Sequence, residues 1–305
     1  MMRASAAALL AILCSGCASV APTMQPPAPS IPQRTPPSLS PAQTTVSFLG
    51  EGGVTLVGYL QRPGAQFEGK RPAIVFQHGC GGPGANGKLS VRHQAALDWA
   101  AARGLVALHV DSLSPRGEKE LCTQKFSARK VNQTHRVADA YSALDFLAAQ
   151  PDVDSARIAL WGWSHGGSSV LGAMRAPAPV GARVGFAAAI AFYPGCSAFA
   201  QASRPYRLLN PTLILIGEAD DWTPAAPCKA LADAMTQANQ PLSLELYAGA
   251  YHGFDDPNPN AKLRVRSDVP NGVKPGAGVT MAPNPDARQK AMQRTEQFLA
   301  KHLRF

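Results

Sequence analysis

From Thr44 onward, short apolar runs alternate with longer stretches of helical periodicity. Residues 45–49 and 54–60 alternate about Gly52-Gly53 and predict an opening hairpin. Residues 73–77 and 105–110 are near-continuous apolar runs, the pattern of strands covered on both faces. Between them, helical spacing holds from about residue 89 to 102 and stops at Gly104. A second helix is predicted from about 132 to 149, with Val137, Tyr141, Leu144 and Leu147 on one face and Pro151 ending it. Strands at 157–161, 187–192, 212–216 and 242–247 then alternate with helices at 165–174, 225–238 and about 286–303. This order predicts an α/β fold: a mainly parallel sheet of about eight strands, helices on both faces, right-handed crossovers and ligands at the strands' C-terminal ends. The connection from Phe192 to Thr212 is too short for a large cap domain, so an open site is expected.

The 305 residues, 46% of them hydrophobic, are enough for one sizeable core. The net charge of +9 comes from scattered Lys and Arg without interleaved aromatics, so nucleic acid is not an expected partner. At the N-terminus, Arg3, an apolar run over 4–13 and small residues have the layout of an export signal, too short to span a bilayer as a mature helix. Cys14-Ser15-Gly16-Cys17 resembles a bacterial lipobox, which would make Cys17 the lipidated first residue of the mature chain. Cys14 stands where an aliphatic residue is usual, and ordinary secretion is the alternative. Ala18 resembles the residue following the anchor in outer-membrane lipoproteins, which places the protein on the periplasmic side of the envelope. Membrane contact is expected only through that anchor. Residues 18–43 hold eight prolines and read as an extended tether. The expected organisation is a signal peptide over 1–16, a tether over 17–43 and one domain over 44–305. Four cysteines remain in that domain, Cys80, Cys122, Cys196 and Cys228. In an oxidising compartment an even number points to two disulfides, with three connectivities open, or else to free buried thiols.

The apolar run 158–161 ends in Gly162-Trp163-Ser164-His165-Gly166, the G-x-S-x-G spacing that seats a serine on a tight strand-to-helix turn. Ser164 is the candidate nucleophile. A serine hydroxyl needs a base within hydrogen-bond reach and a third group to orient that base. Of seven histidines, His252 in Tyr251-His252-Gly253-Phe254 lies just past the last strand. His93, His135 and His302 fall in helical patterns and read as surface residues, His109 reads as a satisfied core histidine, and His78 and His165 precede any candidate acid. For that acid, the strand at 213–216 runs into Glu218, Asp220 and Asp221, among which spacing does not choose.

Gly217-Glu218-Ala219-Asp220 with Pro224 four residues past the aspartate, the serine turn and the His-Gly-Phe segment together resemble the dienelactone hydrolase family of α/β-hydrolases, over about 54–303. The resemblance implies the α/β-hydrolase fold and Asp220 as the acid, leaving Asp221 as a solvated turn residue or helix cap. Two features depart from the family: its founding members carry a cysteine where this chain has Ser164, and their substrate-binding residues have no evident counterpart here. The oxyanion donors expected in this architecture are the His165 amide and, from His78-Gly79-Cys80-Gly81 after the third strand, the Cys80 amide. Arg116, Tyr193, Trp222 and Phe254 follow strand ends and are candidate pocket residues. The family's strand order also implies the disulfides Cys80–Cys122 and Cys196–Cys228. The expected activity is therefore a serine hydrolase acting on a small carboxylic ester or lactone through an acyl-enzyme, with no metal or organic cofactor implied. The alternatives are a peptidase of prolyl-oligopeptidase type and a non-catalytic envelope lipoprotein on the same scaffold.

Overall fold

A computed structural model of the protein describes residues 43–182, 184–202, 206–274 and 276–305. The export signal, Cys17 and almost all of the tether lie outside the described residues. The chain runs β1 (Gln43–Leu49), β2 (Thr55–Gln61), β3 (Arg71–Gln77), β4 (Gly84–Ala85), β5 (Lys88–Leu89), α1 (Val91–Ala101) and β6 (Val106–Asp111). It continues through α2 (Gln133–Ala148), β7 (Val153–Trp163), α3 (His165–Ala173), β8 (Ala188–Phe192), α4 (Ser197–Ala200) and β9 (Thr212–Gly217). It ends with α5 (Ala225–Gln237), β10 (Leu242–Tyr247), β11 (Arg264–Arg266), β12 (Val279–Met281) and α6 (Pro285–Leu303).

Eight strands form one sheet in the order β1-β2-β6-β3-β7-β8-β9-β10. The β1–β2 and β2–β6 pairs are antiparallel and every pair from β6 to β10 is parallel. The predicted apolar runs lie at its centre: β6, β8 and β9 are buried along their whole length, because helices cover the sheet on both faces. Tyr141 of α2 donates to the Ala173 carbonyl of α3 (2.9 Å), and Arg103 after α1 donates to Glu296 of α6 (2.8 Å). These contacts tie the helices in pairs. The described residues between β8 and β9 form only the four-residue α4, too little for a large cap domain over the sheet's C-terminal edge.

Two small hairpins were not legible in the apolar pattern, β4–β5 and β11–β12, since two- or three-residue strands are too short to show a period. The strand before Ser164 also begins four residues earlier than the predicted start at 157, because Val153 pairs with Arg71 across a break in register.

Candidate active site

Ser164 sits between β7 and α3 with φ 54° and ψ −117°, a conformation that costs a non-glycine residue on the order of 1–3 kcal/mol. The surroundings impose it. A Cβ at Gly162 would stand 2.4 Å from the Gly166 carbonyl oxygen, and one at Gly166 would stand 2.3 Å from that of Gln77. The Ser164 amide donates to the Phe192 carbonyl of β8 (2.9 Å), which pins the turn to the neighbouring strand.

His252, on the loop after β10, places Nε2 2.9 Å from Ser164 Oγ and Nδ1 2.8 Å from Asp220 Oδ2. The other oxygen of Asp220 accepts the Trp222 and Thr223 amides at 2.9 and 2.8 Å, so the carboxylate cannot turn away from the imidazole. Thr223 Oγ1 lies 3.1 Å from both Asp220 Oδ2 and His252 Nδ1 and donates to the Tyr193 carbonyl (3.0 Å). The rings of Tyr193 and Trp222 each flank that of His252 at 4.6 Å. Behind them, buried Asp255 accepts from the Tyr193 hydroxyl (2.6 Å) and from Trp163 Nε1 (2.8 Å), and pairs with Arg92 (3.3 Å). Burial, against the opposing pull of Arg92, raises the Tyr193 phenol well above its ordinary pKa and keeps it a donor.

The other wall carries the amides of Cys80 and His165, which have no protein acceptor among the described residues. Both segments meet one side chain, the wholly buried Arg136 of α2. Its Nη2 donates to the His78 carbonyl (2.7 Å) and its Nη1 to His165 Nδ1 (3.1 Å). Burial lowers the guanidinium pKa to about 10, partly offset by Asp139 and Asp111, so the charge is kept at neutral pH. Burial and then Arg136 hold His78 and His165 well below the usual histidine range. His78 is further locked, donating through Nδ1 to the Gly79 carbonyl (2.7 Å) and accepting the Ser112 amide at Nε2 (3.3 Å). Neither histidine has a nitrogen turned to Ser164 in these contacts.

Cys80 is joined to Cys122 and Cys196 to Cys228, with Cα atoms 5.0 Å apart in each pair, inside the limit of about 7 Å for a disulfide. The strand order provides this, since β3 lies beside β6 and β8 beside β9.

Several expectations need correction. Arg116 does not line a pocket: both its terminal nitrogens reach buried Asp139 at 2.8 Å, a pairing that leaves neither charge alone. Phe254 is wholly buried against Phe192, Tyr193 and Tyr247 and belongs to the core. Asp221 neither caps a helix nor points to solvent, because its carboxylate accepts the Thr280 amide and hydroxyl, each at 2.7 Å, and holds β12 to the site. His93 is buried rather than on the surface, donating from Nδ1 to the Pro83 carbonyl (2.6 Å), and burial drives its pKa down to about 3. His109 lies in the core as expected but is not satisfied there: both ring nitrogens are without a partner among the described residues.

Two cavities meet at Ser164. One, of about 420 Å³, includes His252, Tyr193, Arg92, Arg264 and Arg266 in its wall; the other, of about 570 Å³, includes His165, Phe126, Phe199, Pro224 and Val273. Ser164, Cys80 and Trp222 border both. Among the described residues no cluster of His, Cys, Asp and Glu is arranged to hold a metal ion. Thr223, Asp255 and Arg136 escape a sequence reading; Asp255 follows the His-Gly-Phe segment directly, while Arg136 carries no signal beyond its place in a helical pattern.

The sequence profile of the dienelactone hydrolase family matches residues 56–303. A probable 2-oxo-3-(5-oxofuran-2-ylidene)propanoate lactonase of a Bradyrhizobium species is 25% identical over 218 residues, 68% of this chain and 82% of that protein. A probable dipeptidyl-aminopeptidase B of Fusarium vanettenii is 34% identical over 120 residues, 38% of this chain, and the match spans only 12% of that longer protein. Among solved structures, a thermophilic esterase of Thermogutta terrifontis superimposes with a TM-score of 0.61 at 23% identity, covering 85% of this chain and 92% of that one.

Proposed function

The chain belongs to the dienelactone hydrolase family, and from that premise, with a lactonase among its relatives and an esterase of like fold, we propose that it is a serine hydrolase working through an acyl-enzyme. The observation that carries this reading is the continuous chain from Ser164 Oγ to His252 (2.9 Å) to Asp220 (2.8 Å). Ser164 Oγ attacks the acyl carbon as His252 Nε2 takes its proton. Asp220 holds Nδ1–H and stabilises the imidazolium, and its two backbone donors keep it in place. The Cys80 and His165 amides receive the developing oxyanion, with the Arg136 charge behind both. His252 then returns the proton to the leaving oxygen, and water attacks the acyl-enzyme by the same route in reverse.

The aminopeptidase likeness is confined to a fraction of that protein and does not favour a peptidase. The two disulfides fit an oxidising compartment, and no described helix is long and apolar enough to cross a membrane. The rest of the reading is that residues 1–16 are removed, that Cys17 carries lipid, and that the tether places the hydrolase domain on the periplasmic side of the envelope. Membrane fractionation of Cys17→Ser tests it: release into the soluble fraction is expected, and unchanged sedimentation would refute the anchor.

The function itself is tested by p-nitrophenyl ester hydrolysis and by labelling with a fluorophosphonate. Labelling at the Ser164 peptide, lost in Ser164→Ala together with activity, is expected. A modified residue elsewhere, or activity surviving in the variant, would overturn the assignment.

A further inference from the structure

The three groups on the reacting carbon must leave Ser164 in different directions, and the two cavities decide which goes where. The oxyanion points to the Cys80 and His165 amides. The leaving oxygen must lie within reach of His252 Nε2, the one proton source that the described residues place on Ser164 (2.9 Å). His252 borders the smaller, arginine-lined cavity and is not part of the wall of the larger one. The leaving group therefore occupies the smaller cavity, and the acyl substituent takes the larger.

That larger cavity has a mainly apolar wall, although Arg129, Gln133 and Asn271 also border it. Phe199, Pro224 and Val273 line it, and its rim exposes Phe126 and Val273 at 68% and 51% of their surface, two of the larger hydrophobic side chains that folding has left uncovered. An alkyl chain laid there would remove these faces from water, which favours binding in proportion to the apolar area covered. Trp222 stands between the two cavities and borders both.

We propose, resting on the serine-hydrolase reading, that the larger cavity is an acyl-chain site and that the substrate class is an open-chain ester or thioester with an extended apolar acyl group. In such a substrate the acyl chain and the leaving group diverge to opposite sides of Trp222. In a small lactone a few ring atoms join the acyl carbon to the leaving oxygen, so the two cannot separate in this way. The reaction balances as an ordinary hydrolysis: the Ser164 Oγ–acyl bond forms, the bond to the leaving oxygen or sulfur breaks, His252 delivers the proton, and water then releases the acid.

The test uses the full chain and p-nitrophenyl esters from acetyl to dodecanoyl, which hold the leaving group constant, with dihydrocoumarin as the lactone. The kcat/KM is expected to rise at least about tenfold between acetyl and octanoyl and to exceed that for the lactone. Ala198→Trp and Val273→Trp, at exposed positions on separate segments of the larger cavity, should each move the preferred chain length downward. Asn258→Trp, on the smaller cavity, should change the tolerance for bulky alcohols instead. A flat chain-length profile, a preference for the lactone, or an acyl profile moved by Asn258→Trp and not by the other two would overturn the acyl-site assignment while leaving the serine-hydrolase reading intact. Loss of that reading has a different signature, no hydrolysis of any ester or lactone by correctly folded protein.

Discussion

On one side of Ser164 the imidazole of His252 is held by carboxylates, Asp220 in direct contact and Asp255 through Tyr193. On the other side, the backbone segments of Cys80 and His165 are held by the guanidinium of Arg136 and by the Cys80–Cys122 bridge. Each wall is matched in sign to what the proposed reaction develops against it. A cation forms on His252 and an anion forms at the two amides. The walls differ in how they can fail. The base side depends on side chains that a single conservative substitution can disable, whereas the amide side uses main-chain donors that only a displacement of the backbone can remove.

The comparison ranks the expected losses. Ser164→Ala removes the group both walls serve and should lower kcat by roughly 10⁴ to 10⁶, measured by burst-free ester hydrolysis, with the far-ultraviolet circular dichroism unchanged. Asp220→Asn should cost about 10⁴ in kcat, as expected when the imidazole is held in the wrong tautomer. Asp221→Asn, one residue on, should act on the attachment of β12 and lower stability by about 1–3 kcal/mol, with the smaller effect on kcat. The reverse ranking would move the acid of the triad.

Arg136→Met probes the amide side. We expect kcat to fall about 10²- to 10³-fold, in line with the loss of an oxyanion donor, with KM changed much less and partial recovery in Arg136→Lys. A rise in KM alone would make Arg136 a binding residue. Next come the disulfides, each expected to contribute about 2–4 kcal/mol to stability in urea unfolding, with closed loops of 42 and 32 residues. Cys80→Ser/Cys122→Ser should lower kcat further than Cys196→Ser/Cys228→Ser, because only the first pair tethers a segment carrying an oxyanion amide. Equal effects on kcat would separate that amide from the bridge.

The last effect, on stability alone, is one of pH. Burial lowers the folded-state pKa of His93 to about 3, and those of His78, His109 and His165 well below the ordinary value. The unfolded chain takes up these protons from about pH 6.5 downward while the folded chain does not, so stability is full above that pH and falls on acidification. For His93 this approaches a slope of about 1.4 kcal/mol per pH unit between the unfolded pKa and about pH 3. Urea midpoints unchanged between pH 7 and 5 would contradict this.

Where the chemistry rests on loops at the strands' C-terminal ends, the sequence was readable. Ser164, Asp220 and His252 each follow an apolar run, and parallel connectivity brings those ends to one edge of the sheet. Position after a strand was a poor guide to pocket lining, and it failed for Arg116 and Phe254. It gives a residue's place on the edge, but not the partner that draws the side chain inward. In helices the limitation was sharper. His93 and Arg136 sit in periodic patterns that mark a core-facing stripe, and whether a polar residue beside that stripe is solvated or buried depends on a partner from a distant segment. For His93 that partner is the Pro83 carbonyl, and for Arg136 it is the His78 carbonyl.

The order of apolar runs and turn residues was therefore enough to determine the α/β architecture and to offer Ser164, His252 and three carboxylates as candidates, because these follow from local periodicity and from the handedness of parallel crossovers, whereas Asp220 was singled out only by the family resemblance. The two charged walls, the two cavities and the burial of His78 and His93 were decided only in the tertiary structure. A buried charge or an unpaired amide becomes stable or useful through groups tens of residues away, and neither distance nor dielectric surroundings are written in the spacing of one segment.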